Sequence, residues 1–239
     1  MPCVSARAER RNRHAVGVQV ATADGLQSGF VRLLFFREGS AAVPDYSREK
    51  AAWLAYLAGE PREAYRRLNA NGTLTYEFVS DSGGRGSLSL RFPLAAFAHL
   101  CGFEYYKDEH KGRRAPQERF FHDLPSSDFN PARVDYTHRV GHPPVPFAKR
   151  RENTRRKIAV AAIAFGRMEQ ASHVVESAKS TLAIFVGESD WALGVRKATN
   201  GRGEELEYYV PVSLLDIGVL APSVCREGRA YRIVAAWWR

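Results

Sequence analysis

The feature that most constrains this fold is a run of strand-type segments near the C-terminus with no helical segment between them. The sequence patterns of residues 182–187, 192–198 and 207–212 predict strands, and residues 231–237 form a further strand-type segment. Strands joined by short connections pair antiparallel, so these segments predict a meander. The helical segments lie apart from them in the chain, which predicts an α+β fold with helices packed on an antiparallel meander.

The longest predicted helix covers residues 153–178. Apolar residues recur along it at the spacing of one helix face, namely Ile158, Ala162, Phe165, Met168 and Val175. This face predicts that the helix packs against the sheet.

The segment before the long helix predicts smaller elements. Residues 46–68 have helical spacing that Gly59 and Pro61 divide. Residues 73–80 and 87–92 alternate around a glycine-rich connection, which predicts a β-hairpin.

A short helix is predicted to follow Pro93, and another to cover residues 117–124. Residues 107–149 are otherwise rich in proline and histidine and predict long loops, where ligands often bind.

Residues 1–45 are predicted to form a separate region. A basic arm over residues 1–14 precedes strand-type segments at 15–21 and 29–36, and we expect these to pack on a main domain of residues 46–239. No apolar stretch follows the N-terminal arginines or approaches membrane-spanning length, so we expect neither a secretory signal nor a membrane partner.

The net charge and the cysteine content indicate the kind of binding partner and the cellular compartment. The chain has 35 Lys and Arg against 26 Asp and Glu, a net charge of +9 that attracts phosphate polymers. Three scattered cysteines offer neither a disulfide framework nor a Cys-x-x-Cys metal clip, which favours a reducing, cytoplasmic location. No cofactor and no metal is predicted.

The strongest charge feature is a basic run at the start of the predicted long helix. Cations at a helix N-terminus oppose the helix dipole, whereas a bound phosphate would be favoured there. The run therefore predicts a nucleic-acid-binding surface made of Lys149, Arg150, Arg151, Arg155 and Arg156. The alternative is a solvated charge run with Asn153 or Thr154 as the helix cap.

Two polar residues in apolar surroundings have alternative explanations. His99, on the short helix after Pro93, is either a core residue that donates to a carbonyl or a group that transfers protons near neutral pH. Ser213 ends a predicted strand, where a hydroxyl more often caps a helix or closes a turn than takes part in catalysis. His138 and His142 have the spacing of helical metal ligands, but Gly141 and Pro143 argue against that helix and hence against a zinc site.

Several segments in order resemble one family. They are Phe97-x-His99-Leu100-x-Gly102, then Phe120-Phe121, then Lys157 in a long amphipathic helix, then Tyr209-Val210-Pro211-Val212-Ser213-Leu214-Leu215. This order resembles the phage-associated barnase/EndoU/colicin/RelE-like (BECR-fold) nuclease domains, particularly their fourth phage-associated class, over residues 90–216.

The resemblance implies a toxin-like endoribonuclease that acts on RNA, with tRNA among the candidate substrates and an immunity or antitoxin protein as a partner. His99, Lys157 and Ser213 are the matching polar residues. For a metal-independent 2′-hydroxyl attack we expect His99 to transfer the proton, Lys157 and Arg196 to stabilise the phosphate and Ser213 to hydrogen-bond a phosphate oxygen. The alternatives are a non-catalytic basic nucleic-acid-binding protein and a phage accessory protein that meets an acidic partner.

Overall fold

The computed structural model describes residues 46–137, 145–178, 184–225 and 228–239. The helices within these ranges are α1 (Tyr46–Ala58), α2 (Glu60–Ala70), α3 (Phe97–Leu100), α4 (Arg119–Asp123), α5 (Phe147–Gly166) and α6 (Pro222–Cys225). Single 3-10 turns at Leu94–Ala96, Pro131–Arg133 and Met168–Gln170 join them to the strands.

Seven of the described strands close into one barrel. They are β1 (Thr73–Val79), β2 (Arg85–Arg91), β5 (His173–Glu176), β6 (Ile184–Gly187), β7 (Ala192–Thr199), β8 (Glu205–Leu215) and β9 (Arg229–Trp238). Two short strands, β3 (Phe103–Tyr105) and β4 (Val134–Tyr136), form a separate antiparallel pair.

The barrel order is β1-β2-β8-β7-β6-β5-β9, and β9 pairs with β1 to close the ring. Neighbouring strands are antiparallel except for β2 and β8, which are parallel and share one register pair, Leu90 with Tyr209. Strand β9 is long enough to pair with β5 through one part and with β1 through another. The seam between β2 and β8 is therefore the least extensively paired junction of the barrel.

The predicted fold class is wrong in its sheet. The expectation was helices packed on an antiparallel meander, whereas the sheet is a closed barrel with one parallel pair, β2 and β8. The meander itself exists as β6, β7 and β8, and the hairpin of β1 and β2 is also confirmed. Alternation along a strand reveals which face is buried but not which distant strand lies beside it, so closure by β9 and the parallel seam could not be read from the pattern.

The predicted long helix is wrong at both ends. Helix α5 begins at Phe147, directly after Pro146, and ends at Gly166. Val175 does not lie on the helix face but on strand β5, where the β-branched pair of Val174 and Val175 is buried. The basic run thus occupies the first turns of a helix that starts earlier than predicted.

The expected helix cap at Asn153 or Thr154 is also wrong. Thr154 lies inside α5 with only 1% of its surface exposed, and its hydroxyl donates to the Gly102 carbonyl at 2.8 Å. Strand-type residues 15–21 and 29–36, and the histidine pair at 138 and 142, lie outside the described residues. The domain boundary at residue 45 stays a prediction.

Aromatic side chains join the helices to the barrel. Tyr65 of α2 has no exposed surface, contacts the rings of Phe97 and Phe165, and donates its hydroxyl to the Pro93 carbonyl at 3.0 Å. Burial of an aromatic side chain stabilises a fold by roughly 2–3 kcal/mol. This cluster holds α3 at the junction between α5 and β8.

Candidate functional site

His99 and Lys157 meet where α3 contacts α5. The Lys157 ammonium donates to the backbone carbonyl of His99 at 3.0 Å. Helix α5 carries Lys157 on the turn after Thr154, and Thr154 is hydrogen-bonded to Gly102 at the end of α3. The two helices are thereby fixed at adjacent points, so the lysine lies next to the histidine.

Gly102 makes this approach of the two helices possible. Its φ of +84° lies in the left-handed region that favours glycine. A Cβ atom at this position would lie 2.7 Å from the Thr154 Oγ1 atom and 2.9 Å from its Cα atom. Only glycine fits between α3 and α5 without displacing one of them.

Strand β8 supplies the third side of the site. Helix α3 follows β2 in the chain and packs against β8, and the His99 imidazole hydrogen-bonds the backbone of Val212. Gly194 pairs with Ser213 and Val195 pairs with Pro211, so Val212 is an extra residue in a β-bulge. Bulges interrupt strand pairing and often lie beside functional sites.

The electrostatics of the junction keep His99 neutral. Desolvation by the surrounding protein is the largest cause that lowers the pKa of the imidazole to about 4, and the Lys157 ammonium is the second. Glu104 and the Val212 hydrogen bond act in the opposite direction, while Arg114 adds to the lowering. The residue still keeps an exposed face, so its ring is both uncharged near neutral pH and reachable from solvent.

A buried carboxylate beside this junction was not among the sequence-predicted site residues. Glu104 of β3 has 8% of its surface exposed and accepts hydrogen bonds from the Tyr106 hydroxyl and the Arg114 guanidinium, each at 2.8 Å. The available signal was a lone acid in the aromatic strand Phe-Glu-Tyr, because a charge is rarely buried there without a partner.

The other two predicted catalytic residues lie on β8 and on the neighbouring strand β7. Ser213 is half-buried and directly follows Val212, the residue that His99 contacts. Arg196 of β7 is exposed and pairs in register with Val210, two residues before Val212 on β8. His99, Ser213 and Arg196 therefore lie on or beside one stretch of β8, and Lys157 contacts the backbone of His99.

The predicted nucleic-acid-binding arginines of α5 are engaged within the protein. Arg155 pairs with Glu152 at 2.6 Å and Arg156 pairs with Asp216 at 2.7 Å. Arg151 forms a two-bond pair with Glu49, one bond of which is 2.8 Å. These partners lower the positive potential that the arginines offer to a polyanion.

The remaining two members of the basic run differ from each other. Arg150 donates to the Tyr136 carbonyl at 3.2 Å and has 20% of its side chain exposed. Lys149 is exposed in the first turn of α5. Of this surface, Lys149 is the residue best placed to meet a ligand.

Arg196 lines a groove of about 560 Å³ on the outer side of the barrel. We call it the arginine groove, and its main polar and aromatic residues are Asn69, Thr73, Arg91, Arg196, Tyr208 and Arg239. It crosses the seam between β2 and β8 and includes the edge of β7. The groove therefore extends along the same strand that leads to His99.

Neither a metal cluster nor a spanning helix is found in the described ranges. No three His, Cys, Asp or Glu side chains there lie close enough together to hold a metal ion. None of the described helices has the length and apolarity needed to cross a membrane.

Comparison of the chain with protein-family models, with curated proteins and with solved structures finds no match to any of them. The resemblance of residues 90–216 to BECR-fold nucleases therefore stays a prediction.

Proposed function

We propose that this protein is an endoribonuclease that cleaves RNA at the junction of α3, α5 and β8. The observation that carries the proposal is the hydrogen bond from the Lys157 ammonium to the backbone carbonyl of His99 at 3.0 Å, beside a bulge that precedes Ser213. Three polar residues from separate parts of the sequence support the proposal: Lys157 contacts the His99 backbone, and Ser213 follows the bulge at Val212. A neutral imidazole, a cation and a hydroxyl are the groups that phosphoryl transfer from RNA requires.

In the proposed reaction the RNA 2′-oxygen attacks the adjacent phosphorus and displaces the 5′-oxygen. The neutral His99 ring accepts the 2′-hydroxyl proton, and the leaving 5′-oxygen takes a proton from water. Lys157 stabilises the extra negative charge on the phosphorane, and Ser213 hydrogen-bonds one of its oxygens. DNA has no 2′-hydroxyl and would resist cleavage.

Substrate binding would itself improve the base. The Lys157 cation lowers the pKa of His99, and a phosphate between the two side chains would offset that effect. The imidazole would then hold a proton more strongly in the complex than in the free protein. The carboxylate of Glu104 raises the pKa of His99 in the same direction.

The test is incubation of the purified chain with total RNA and with single-stranded DNA in excess chelator. We expect cleavage of RNA alone, with 2′,3′-cyclic phosphate ends. Lys157→Ala should slow it by roughly 100-fold, the size expected for losing one transition-state contact. Arg85→Ala is the matched control, because Arg85 is an exposed cation that pairs with Glu77 on the β1–β2 hairpin.

Loss of activity in His99→Ala would support the proton-transfer role, whereas full activity in this variant would remove it. Absence of RNA cleavage, together with salt-sensitive binding of RNA and DNA alike, would overturn the nuclease proposal in favour of a non-catalytic nucleic-acid-binding protein. The expected immunity or antitoxin partner stays a prediction.

A further inference from the structure

The arginine groove brings together three arginines that form no ion pair with a described Asp or Glu side chain. Arg91, Arg196 and Arg239 line it, and none of the described residues in its lining carries a carboxylate side chain. No described Asp or Glu side chain forms an ion pair with any of these three arginines, whereas Arg151, Arg155 and Arg156 are all paired. The three guanidinium groups thus give the groove positive charge that no described Asp or Glu side chain neutralises.

One of these arginines is held in position. The Arg91 guanidinium lies 4.2 Å from the ring centroid of Tyr208, and its Nε donates to the Thr73 hydroxyl at 2.9 Å. Stacking on an aromatic ring and one fixed hydrogen bond leave the terminal nitrogens to meet a planar or tetrahedral anion. Less side-chain entropy is lost when such a guanidinium binds a phosphate.

The groove also presents an aromatic side chain beside the cations. Tyr208 is half-buried on β8, and Val210 lines the groove next to it. Phosphate-binding cations next to an aromatic ring are the combination that single-stranded nucleic acids use, because the bases stack while the backbone is neutralised.

The groove and the histidine site lie along one strand. Val210 lines the groove and Val212 contacts His99, so the two are separated by about 7 Å along β8 at the usual rise of a strand. Pro93 also lines the groove, and α3 begins four residues later. A polymer bound in the groove could therefore continue directly to His99 and Lys157.

We infer that the arginine groove binds single-stranded nucleic acid, with a phosphate on Arg91 and Arg196 and a base against Tyr208. Its role in holding the nucleotides next to the cleaved phosphate rests on the proposed function. The capacity of the groove to bind single-stranded nucleic acid does not rest on the proposed function, because DNA would bind there without being cleaved.

The inference is tested with a fluorescein-labelled single-stranded DNA of about six nucleotides, a length within the range of one such binding site. Fluorescence anisotropy would measure its dissociation constant in the full chain. We expect Arg196→Gln and Arg91→Gln each to weaken binding at least tenfold. Arg196→Gln should also lower the slope of log affinity against log salt by about 0.7, the loss expected for one phosphate contact to a single strand.

Control variants distinguish binding in the arginine groove from nonspecific attraction by the net positive charge. Arg85→Gln removes another exposed cation, one that pairs with Glu77, and it should leave the affinity within about twofold. Tyr208→Leu should also weaken binding, because it removes the stacking surface and the ring against which the Arg91 guanidinium lies. Adenosine 5′-monophosphate should bind at least tenfold more weakly than the oligonucleotide.

Equal losses in Arg85→Gln and Arg196→Gln would overturn the inference, as would equal affinity for the mononucleotide and the strand. The nuclease proposal is tested separately from the groove. Lys157→Ala should slow RNA cleavage but leave the Arg196-dependent binding of DNA unchanged. Binding of DNA without any RNA cleavage would support the groove and refute the enzyme.

Discussion

The sequence singled out His99 as a candidate site residue, but its surroundings became known only from the structure. Its apolar neighbours suggested a core histidine, and a low pKa agrees with partial burial. However, the residue keeps an exposed face and contacts the backbone of Val212, so it is not a core side chain. No spacing rule could have paired it with a strand more than 100 residues away along the chain.

Removal of the neighbouring charge should raise the pKa of His99. In Lys157→Met the cation that disfavours the imidazolium is gone, so the pKa should rise from about 4 toward the ordinary value of about 6.5. Desolvation, the largest cause, remains, so the rise should stop short of it. Titration of the ring protons by NMR measures the shift, with Arg85→Met as the unchanged control. An unaltered or lower pKa would contradict the assigned contact.

The same pKa has a consequence for stability. Because folding lowers the pKa of His99, a proton binds the unfolded chain more strongly than the folded one. This residue therefore destabilises the fold as pH falls from about 6.5 to about 4 and has no such effect above that window.

At the scale of elements, the sequence predicted which helices and strands exist more accurately than it predicted where they begin and end. Helices α1 and α2, the β1–β2 hairpin and the meander follow from local periodicity and from Gly59 and Pro61. Helix α5 was misjudged because Val175 happened to continue its apolar spacing, although two adjacent β-branched valines favour a strand. The arginines of α5 suggested a phosphate site, but their acidic partners lie on α1, on α5 itself and after β8.

The junction between α3 and α5 should depend on Gly102. Gly102→Ala should cost at least about 2 kcal/mol in the free energy of unfolding, because the new Cβ meets Thr154 and the φ is positive. Gly83→Ala is the matched control: its φ is also +84°, but nothing lies within 4 Å, so about 1 kcal/mol is expected. Urea unfolding of both variants measures the difference. Equal losses would mean that the α3–α5 contact is not tight.

At the scale of the whole molecule, closure of the barrel was the feature that the sequence could not supply. It depends on β9 reaching both β1 and β5, a long-range pairing that leaves no mark in local alternation. The candidate site suffered the same limit, since Glu104 and the arginine groove are assembled from distant segments.

Closure can be tested by cross-linking. Glu77 of β1 and Ala235 of β9 are register partners, so a cysteine pair at these positions should form a disulfide. Partners across an antiparallel pair have Cα atoms about 5 Å apart, within disulfide range. The control pair, Glu77→Cys with Trp237→Cys, is out of register by two residues and about 7–8 Å apart, so it should form little. Peptide mapping after mild oxidation measures both. Equal yields would argue against this register.

Because β2 and β8 share only one register pair, ligand binding across their seam should affect the stability of the fold. A single-stranded nucleic acid bound in the arginine groove would contact residues of β2, β7 and β8 together. It would therefore stabilise the barrel where the strands share the fewest hydrogen bonds. A ligand that binds only the folded chain adds about 2.7 kcal/mol to its stability at 100 times its dissociation constant. The protein would thus be most resistant to heat and proteolysis when its groove is full, and its lifetime in a cell would follow the supply of its ligand.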